Sequence, residues 1–207
     1  MKETVRSWAL DRPINATFAT PRGLTGRLAG MVMRRKGKQD EVVDLLDVRP
    51  GQRVLEVGYG PGALVRQLVE RTGAASVRGV DPSPTMRSMA RRHNSAGIAA
   101  GRVELGIGTA ERTDCPDAAF DRVVSVSTVA VWPDLRAGLR ECHRVVRPGG
   151  LVVVTWHSAD APSRVARSRA MPDDRLDLLE DTMRDVFGDV TRHSLTFSVA
   201  FAARRAH

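Results

Sequence analysis

The stretch Val54-Leu-Glu-Val-Gly-Tyr-Gly-Pro-Gly62 runs from stiff apolar residues into three glycines at alternate positions, Gly58, Gly60 and Gly62. Glycine in a turn admits backbone angles closed to other residues and lets another group come close to the main chain. Such a turn suits a ligand, and two classes fit. Gly58-x-Gly60-x-x-Ala63 satisfies the relaxed dinucleotide pattern, in which a pyrophosphate rests on the N-terminus of the next helix. Other features point elsewhere. Glu56 puts a carboxylate two residues ahead of Gly58, where it repels a diphosphate and suits a cation. Pro61 removes a backbone donor that a phosphate would use. A ligand bearing an ammonium and a sulfonium matches these residues better than a diphosphate does.

Few other residues have the type and place for chemistry. His157 follows an apolar run, and its imidazole titrates near neutral pH, so it is either a general base or a polar loop residue. Asp134, after Trp132-Pro133, reads as a helix N-cap before it reads as a base. Trp132 either stacks on an aromatic substrate or closes the core. His143, beside Arg144 in a helical stretch, reads as a surface residue. Asp114, Asp117 and Asp121 cluster around Cys115-Pro116 without metal-ligand spacing. Cys115 and Cys142 lie far apart and form no CxxC pair, which suggests neither a disulfide framework nor a zinc site. No metal is expected.

These residues sit at the ends of a regular succession of elements. Two helices are expected near 24–35 and 38–46, closed by Pro50-Gly51. Strands then read over Arg53–Val57, 76–80, Val103–Ile107, 122–127 and 151–156. Helices read over Ala63–Arg71, from a Ser83 cap and Pro84 through 86–96, over 134–146 up to Pro148-Gly149-Gly150, and over 174–187. Two short strands fall in 190–203. The alternation predicts an α/β, Rossmann-like, doubly wound sheet of seven mostly parallel strands, with helices on both faces. Ligands bind such sheets beyond the carboxyl ends of the strands, where the three glycines lie.

The 207 residues, 42% of them hydrophobic, suit a packed domain. No apolar run is long enough to cross a bilayer, and the start, MKETVRSWALDRP, lacks the apolar stretch of a signal peptide. A reducing cytoplasm and no membrane partner are expected. The net charge is +8, almost all from arginine, since Lys2, Lys36 and Lys38 are the only lysines. Residues 22–38 hold six basic residues and no acid, which reads as a solvated helix face or as a surface for an anionic substrate or nucleic acid.

Four motifs in order carry a family resemblance. "VLEVGYGPG", "VRGVDPSPTM", "GTAERTDCPDAAFDRV" and "LRECHRVVRPGGLVVVTW" resemble those of the class I S-adenosylmethionine-dependent methyltransferases, specifically the small bacterial ones. The likeness covers about residues 46–156. It implies S-adenosyl-L-methionine as cofactor and S-adenosyl-L-homocysteine as product. Glu56, Gly58, Tyr59, Gly60 and Gly62 would lie under its methionine part, with Ser127 among the cofactor contacts. Asp81, followed by Pro82, would take the ribose hydroxyls, and Met86 would pack on the adenine or in the core. Where the family has Asp for the adenine amino group, this chain has Thr109, whose hydroxyl or the backbone of Ala110 and Glu111 could serve.

Residues 125–131, Ser-Val-Ser-Thr-Val-Ala-Val, lack the Asn/Asp-Pro-Pro-aromatic motif of methylators of DNA bases and glutamine, and no two-glutamate loop of arginine methylators is present. The resemblance therefore implies a small-molecule acceptor, with Trp132 and Met33 near it and nucleic acid disfavoured. Residues 1–37 would form an N-terminal helical lid and residues 38–207 the methyltransferase domain. Two other classes stay open: a nicotinamide-dependent oxidoreductase using the same turn, and a non-catalytic cofactor- or RNA-binding protein. Oligomeric state is left open, a dimer being one option.

Overall fold

The computed structural model describes residues 4–5, 8–9, 14–15, 39–162 and 164–207. Seven strands form one sheet: β1 Arg53–Val57, β2 Ser76–Asp81, β3 Val103–Ile107, β4 Phe120–Val126, β5 Val146–His157, β6 Val190–Ser194 and β7 Ser198–Arg204. Their order is β3-β2-β1-β4-β5-β7-β6. The first five are parallel; β7 runs antiparallel to β5, and β6 antiparallel to β7. The chain reverses its direction of travel across the sheet between β1 and β4, so those two strand ends flank the crevice.

Strand alternation sends successive side chains to opposite faces. Leu55, Val57, Val123, Val152 and Val154 face one core, completed by Leu139 and Cys142 of α5 (Leu135–Val145) and Leu179 and Met183 of α7 (Asp173–Phe187). Val54, Val77, Val124 and Val153 face the other. It is completed by Val42 and Leu46 of α1 (Asp40–Leu46), Leu64 and Leu68 of α2 (Ala63–Arg71), and Met86 and Ala90 of α3 (Pro84–His93). Central parallel strands are buried on both faces, which explains the apolar run 151–154 of β5.

Both expected caps are present. The Ser83 hydroxyl accepts the Met86 N–H at 3.2 Å, and the Asp134 carboxylate accepts the Ala137 N–H at 2.9 Å. Several boundaries differ from the sequence reading; the largest shift is at β5, which begins at Val146 rather than 151 and runs through Pro148-Gly149-Gly150. The helix expected through residue 96 stops at His93, and α4 (Ser95–Ala99) restarts. Between them the Asn94 amide donates to Ala90 O and to Gly62 O, tying α3 to the glycine turn. α5 ends at Val145, one residue before the expected 146, and the Arg205 guanidinium takes the carbonyls of His143, Arg144 and Val146 there. β4 stops at Val126, and Ser127 turns into the left-handed region at φ 57°.

The expected helix over 24–35, the basic stretch 22–38 and Met33 lie outside the described residues. What is described of residues 1–37 is not helical: Thr4–Val5 pairs antiparallel with Ile14–Asn15. The Trp8 indole donates to Val129 O at 3.0 Å, and Ala9 is fully buried in the core. No helix among the described residues is long and apolar enough to cross a membrane.

Candidate functional site

The turn between β1 and α2 is held by main-chain contacts to β2. Gly58 N–H donates to Val80 O at 2.8 Å. Gly60 N–H donates to one oxygen of Asp81 at 2.9 Å, and Ser83 N–H donates to the other at 2.8 Å. Asp81 thus joins the ends of β1 and β2 while each oxygen keeps a further lone pair. It is 7% exposed. Burial pushes its carboxyl up to about 6 against the pull of those two N–H groups.

Glu56 lies deeper, 3% exposed, on the face of the sheet that α2 covers. The Val65 N–H in the first turn of α2 bonds its carboxyl, and Oε2 has no hydrogen-bond partner among the described residues. Burial, then the neighbouring Asp81, push it up to about 8. An orphaned buried carboxyl oxygen is costly, and a cationic donor would relieve it. The glycines differ in what surrounds them. Gly60 has φ 52° and no atom of the described residues within 4 Å of where a Cβ would stand, so among these residues the turn is open there. At Gly58, φ 82°, an added Cβ would fall 2.5–2.8 Å from the side chain of Thr128.

Thr128 carries no sequence signal, being one hydroxyl among several after a strand. Its oxygen meets Ser125 Oγ at 2.6 Å, Val57 O at 3.3 Å and the Trp132 indole N–H at 3.3 Å. Ser127, beside it, holds its left-handed turn with an N–H to Thr155 O at 3.0 Å.

The remaining sequence candidates fall into two groups. Thr109 is exposed in a tight turn closed by the reciprocal Thr109 N–H to Arg112 O and Arg112 N–H to Thr109 O bonds. Glu111 accepts the Asp134 N–H at 3.1 Å, joining this loop to the start of α5, and Pro82 is exposed beside Asp81. His157 ends β5, its ring edge-on to Trp156 at 5.4 Å. Four residues turn inward instead. The Tyr59 ring packs over Gly79 and its hydroxyl donates to Gly106 O, so only its main chain lines the turn. Met86, 1% exposed, fills the core under α3. Ala110 is buried, and Trp132, 5% exposed, lies against Gly138 of α5 rather than in an open cleft. Asp114, Asp117 and Asp121 are each paired with an arginine: Arg112, Arg144 and Arg147. A groove of about 710 Å³ between α2 and α3, lined by Arg66, Glu70, Met89 and His93, includes neither the glycine turn nor Asp81.

A family model described as a methyltransferase domain matches residues 54–150, from β1 to the first residues of β5. The chain is 26% identical over 145 residues to the uncharacterised methyltransferase YdaC of Bacillus subtilis, covering 69% of this chain and 78% of that one. Its structure superposes on an S-adenosyl-L-methionine-dependent methyltransferase of Methanococcus maripaludis with a TM-score of 0.74 at 14% identity, over 88% and 93% of the two chains. Residues 54–150 thus form a methyltransferase domain, and the chain is similar to S-adenosylmethionine-dependent methyltransferases. The methyltransferase is also 34% identical over 134 residues to the fatty-acid O-methyltransferase of Mycolicibacterium smegmatis, over 58% of this chain and 47% of that one. It thus spans about half the length of that relative.

The cofactor of the family fits the residues present. Glu56 offers an unpaired buried oxygen to an ammonium, Asp81 offers free lone pairs to a diol, and Gly60 leaves room above the turn.

Proposed function

We propose that this methyltransferase moves the methyl group of S-adenosylmethionine to a small-molecule acceptor, with the ribose on Asp81 and the ammonium toward Glu56. The observation that carries the reading is the Gly60 N–H bond to Asp81 at 2.9 Å, which makes the open glycine turn and the acid one continuous surface. The cofactor supplies a methyl group activated by its sulfonium, whose charge disperses as the bond is broken and whose thioether leaves without a proton. The chain's own part is alignment and exclusion of water. Asp81 and the main chain of Gly58, Gly60 and Gly62 hold the donor. Thr109, with the backbone of Ala110 and Glu111, stands where the adenine would lie.

A base is required only for an acceptor that arrives protonated. His157, at the carboxyl end of β5, is the residue we assign to that proton. The relative named for a fatty-acid acceptor supports a small molecule, as does the absence from residues 125–131 of the base-methylating motif. Residues 1–37 are proposed as a lid and 38–207 as the catalytic domain. Docking of Trp8 and Ala9 against the turn after β4 supports that placement. Equilibrium dialysis with labelled S-adenosylmethionine and with NADH tests the cofactor. Retention of the former alone is expected; retention of NADH alone would replace the reading with a hydride-transfer enzyme.

A further inference from the structure

We infer that Thr128 is a positioning residue, whose hydroxyl locks the glycine turn, the end of β4 and Trp132 into one arrangement before the cofactor arrives. The inference rests on the reading of the glycine turn as the cofactor site. A hydroxyl has one proton and two lone pairs. The Thr128 oxygen accepts the Trp132 indole N–H at 3.3 Å, lies 3.3 Å from Val57 O, the last carbonyl before Gly58, and bonds Ser125 Oγ at 2.6 Å, where either hydroxyl can donate. These contacts reach three different segments.

Those segments frame the site. Val57 delivers the chain into the turn. Ser125 belongs to β4, just before the left-handed Ser127. Trp132 carries the connection outward: a Cβ added at Gly138 would lie 2.6 Å from its ring and 3.3 Å from Ala110, so the indole lies beside the loop that follows β3. Glu111 of that loop in turn accepts the Asp134 N–H, two residues after Trp132. The Thr128 side chain also fills the space a Cβ at Gly58 would need. One oxygen thus joins the turn on the donor's methionine side to the loop on its adenine side. Loss of this joint leaves each loop folded but free to shift relative to the others, and small misplacements of a bound donor weaken binding and alignment.

Thr128→Val keeps the branched shape and removes the hydroxyl; Thr128→Ser keeps the hydroxyl and removes the methyl. Calorimetric titration with S-adenosylhomocysteine is read beside the indole N–H resonance of Trp132, identified by its absence in Trp132→Phe. The indoles of Trp8 and Trp156, bonded to Val129 O and Arg169 O, serve as references. Thr128→Val is expected to raise Kd by about three- to tenfold, the worth of a hydrogen bond of this kind. It should also move the Trp132 resonance while leaving the two references in place. Thr128→Ser should restore both. Should Thr128→Val not fold, Ser125→Ala removes a contact from the same oxygen and carries the same expectation. An unchanged Kd, or a lower melting temperature with Kd unchanged, overturns the inference, as does Thr128→Ser behaving like Thr128→Val. A wild-type chain that fails to bind S-adenosylhomocysteine overturns instead the cofactor reading on which it rests.

Discussion

Glu56 holds a proton that an exposed glutamate would have lost. Its carboxyl is pushed from 4.5 to about 8, chiefly by burial, so between those values the folded chain keeps a proton that the unfolded chain has released. Stability then falls as pH rises through that window. Asp81, raised to about 6, acts in the same direction over the lower part of it. Glu56→Gln should flatten the decline above about pH 6. Melting curves of the two proteins at about pH 6 and about pH 8 check this, and an equal loss in both would contradict it. A cation placed beside Glu56 favours the ionised form, so affinity for S-adenosylhomocysteine should rise over the same range. Asp134 has a different character. Its carboxylate caps α5, so Asp134→Ala should cost about 1 kcal/mol of stability and leave cofactor affinity intact. Unchanged melting with loss of turnover alone would make it a catalytic base instead.

At the scale of elements the glycine turn separates two kinds of glycine. Gly60→Val meets no atom of the described residues and bears the strain of a positive φ, about 1–3 kcal/mol. It should stay folded by circular dichroism and lose S-adenosylhomocysteine binding, because its side chain enters the space above the turn. Gly58→Ala drives a methyl group into Thr128 and should lower melting temperature and binding together. A Gly60→Val protein that binds normally would show that the turn does not cradle the cofactor.

The strands, the caps at Ser83 and Asp134, and the place of Asp81 were legible in the sequence, because each depends on a residue type at a fixed offset along one segment. What was hidden depends on partners far along the chain. The break after His93 is set by an Asn94 amide reaching Gly62. The inward turns of Tyr59, Met86 and Trp132 follow from which side of a loop the core lies on, and composition does not record that. The ladder of Thr4–Val5 with Ile14–Asn15 has two residues per strand, too few to show a period.

At the scale of the whole molecule the proposed site gathers at the carboxyl end of the strands: β1 and β4, where the sheet order reverses, lead into the glycine turn and Thr128, and β2 ends in Asp81. The N-terminal segment meets that end of the sheet through Trp8, bonded to Val129 in the turn after β4. Deleting residues 1–36 should leave a folded core with weakened cofactor binding and no turnover. A truncated protein that binds and turns over normally would remove the lid from the account. The central claim, that the donor lies across the glycine turn with its ribose on Asp81, is tested most directly by calorimetric titration of wild type and Asp81→Ala with S-adenosylhomocysteine. The account predicts saturable binding by wild type and a loss of about 1.5–3 kcal/mol in the variant, roughly ten- to 150-fold in Kd, with the fold retained. Equal affinity in a folded Asp81→Ala protein, or no binding by wild type, would contradict it.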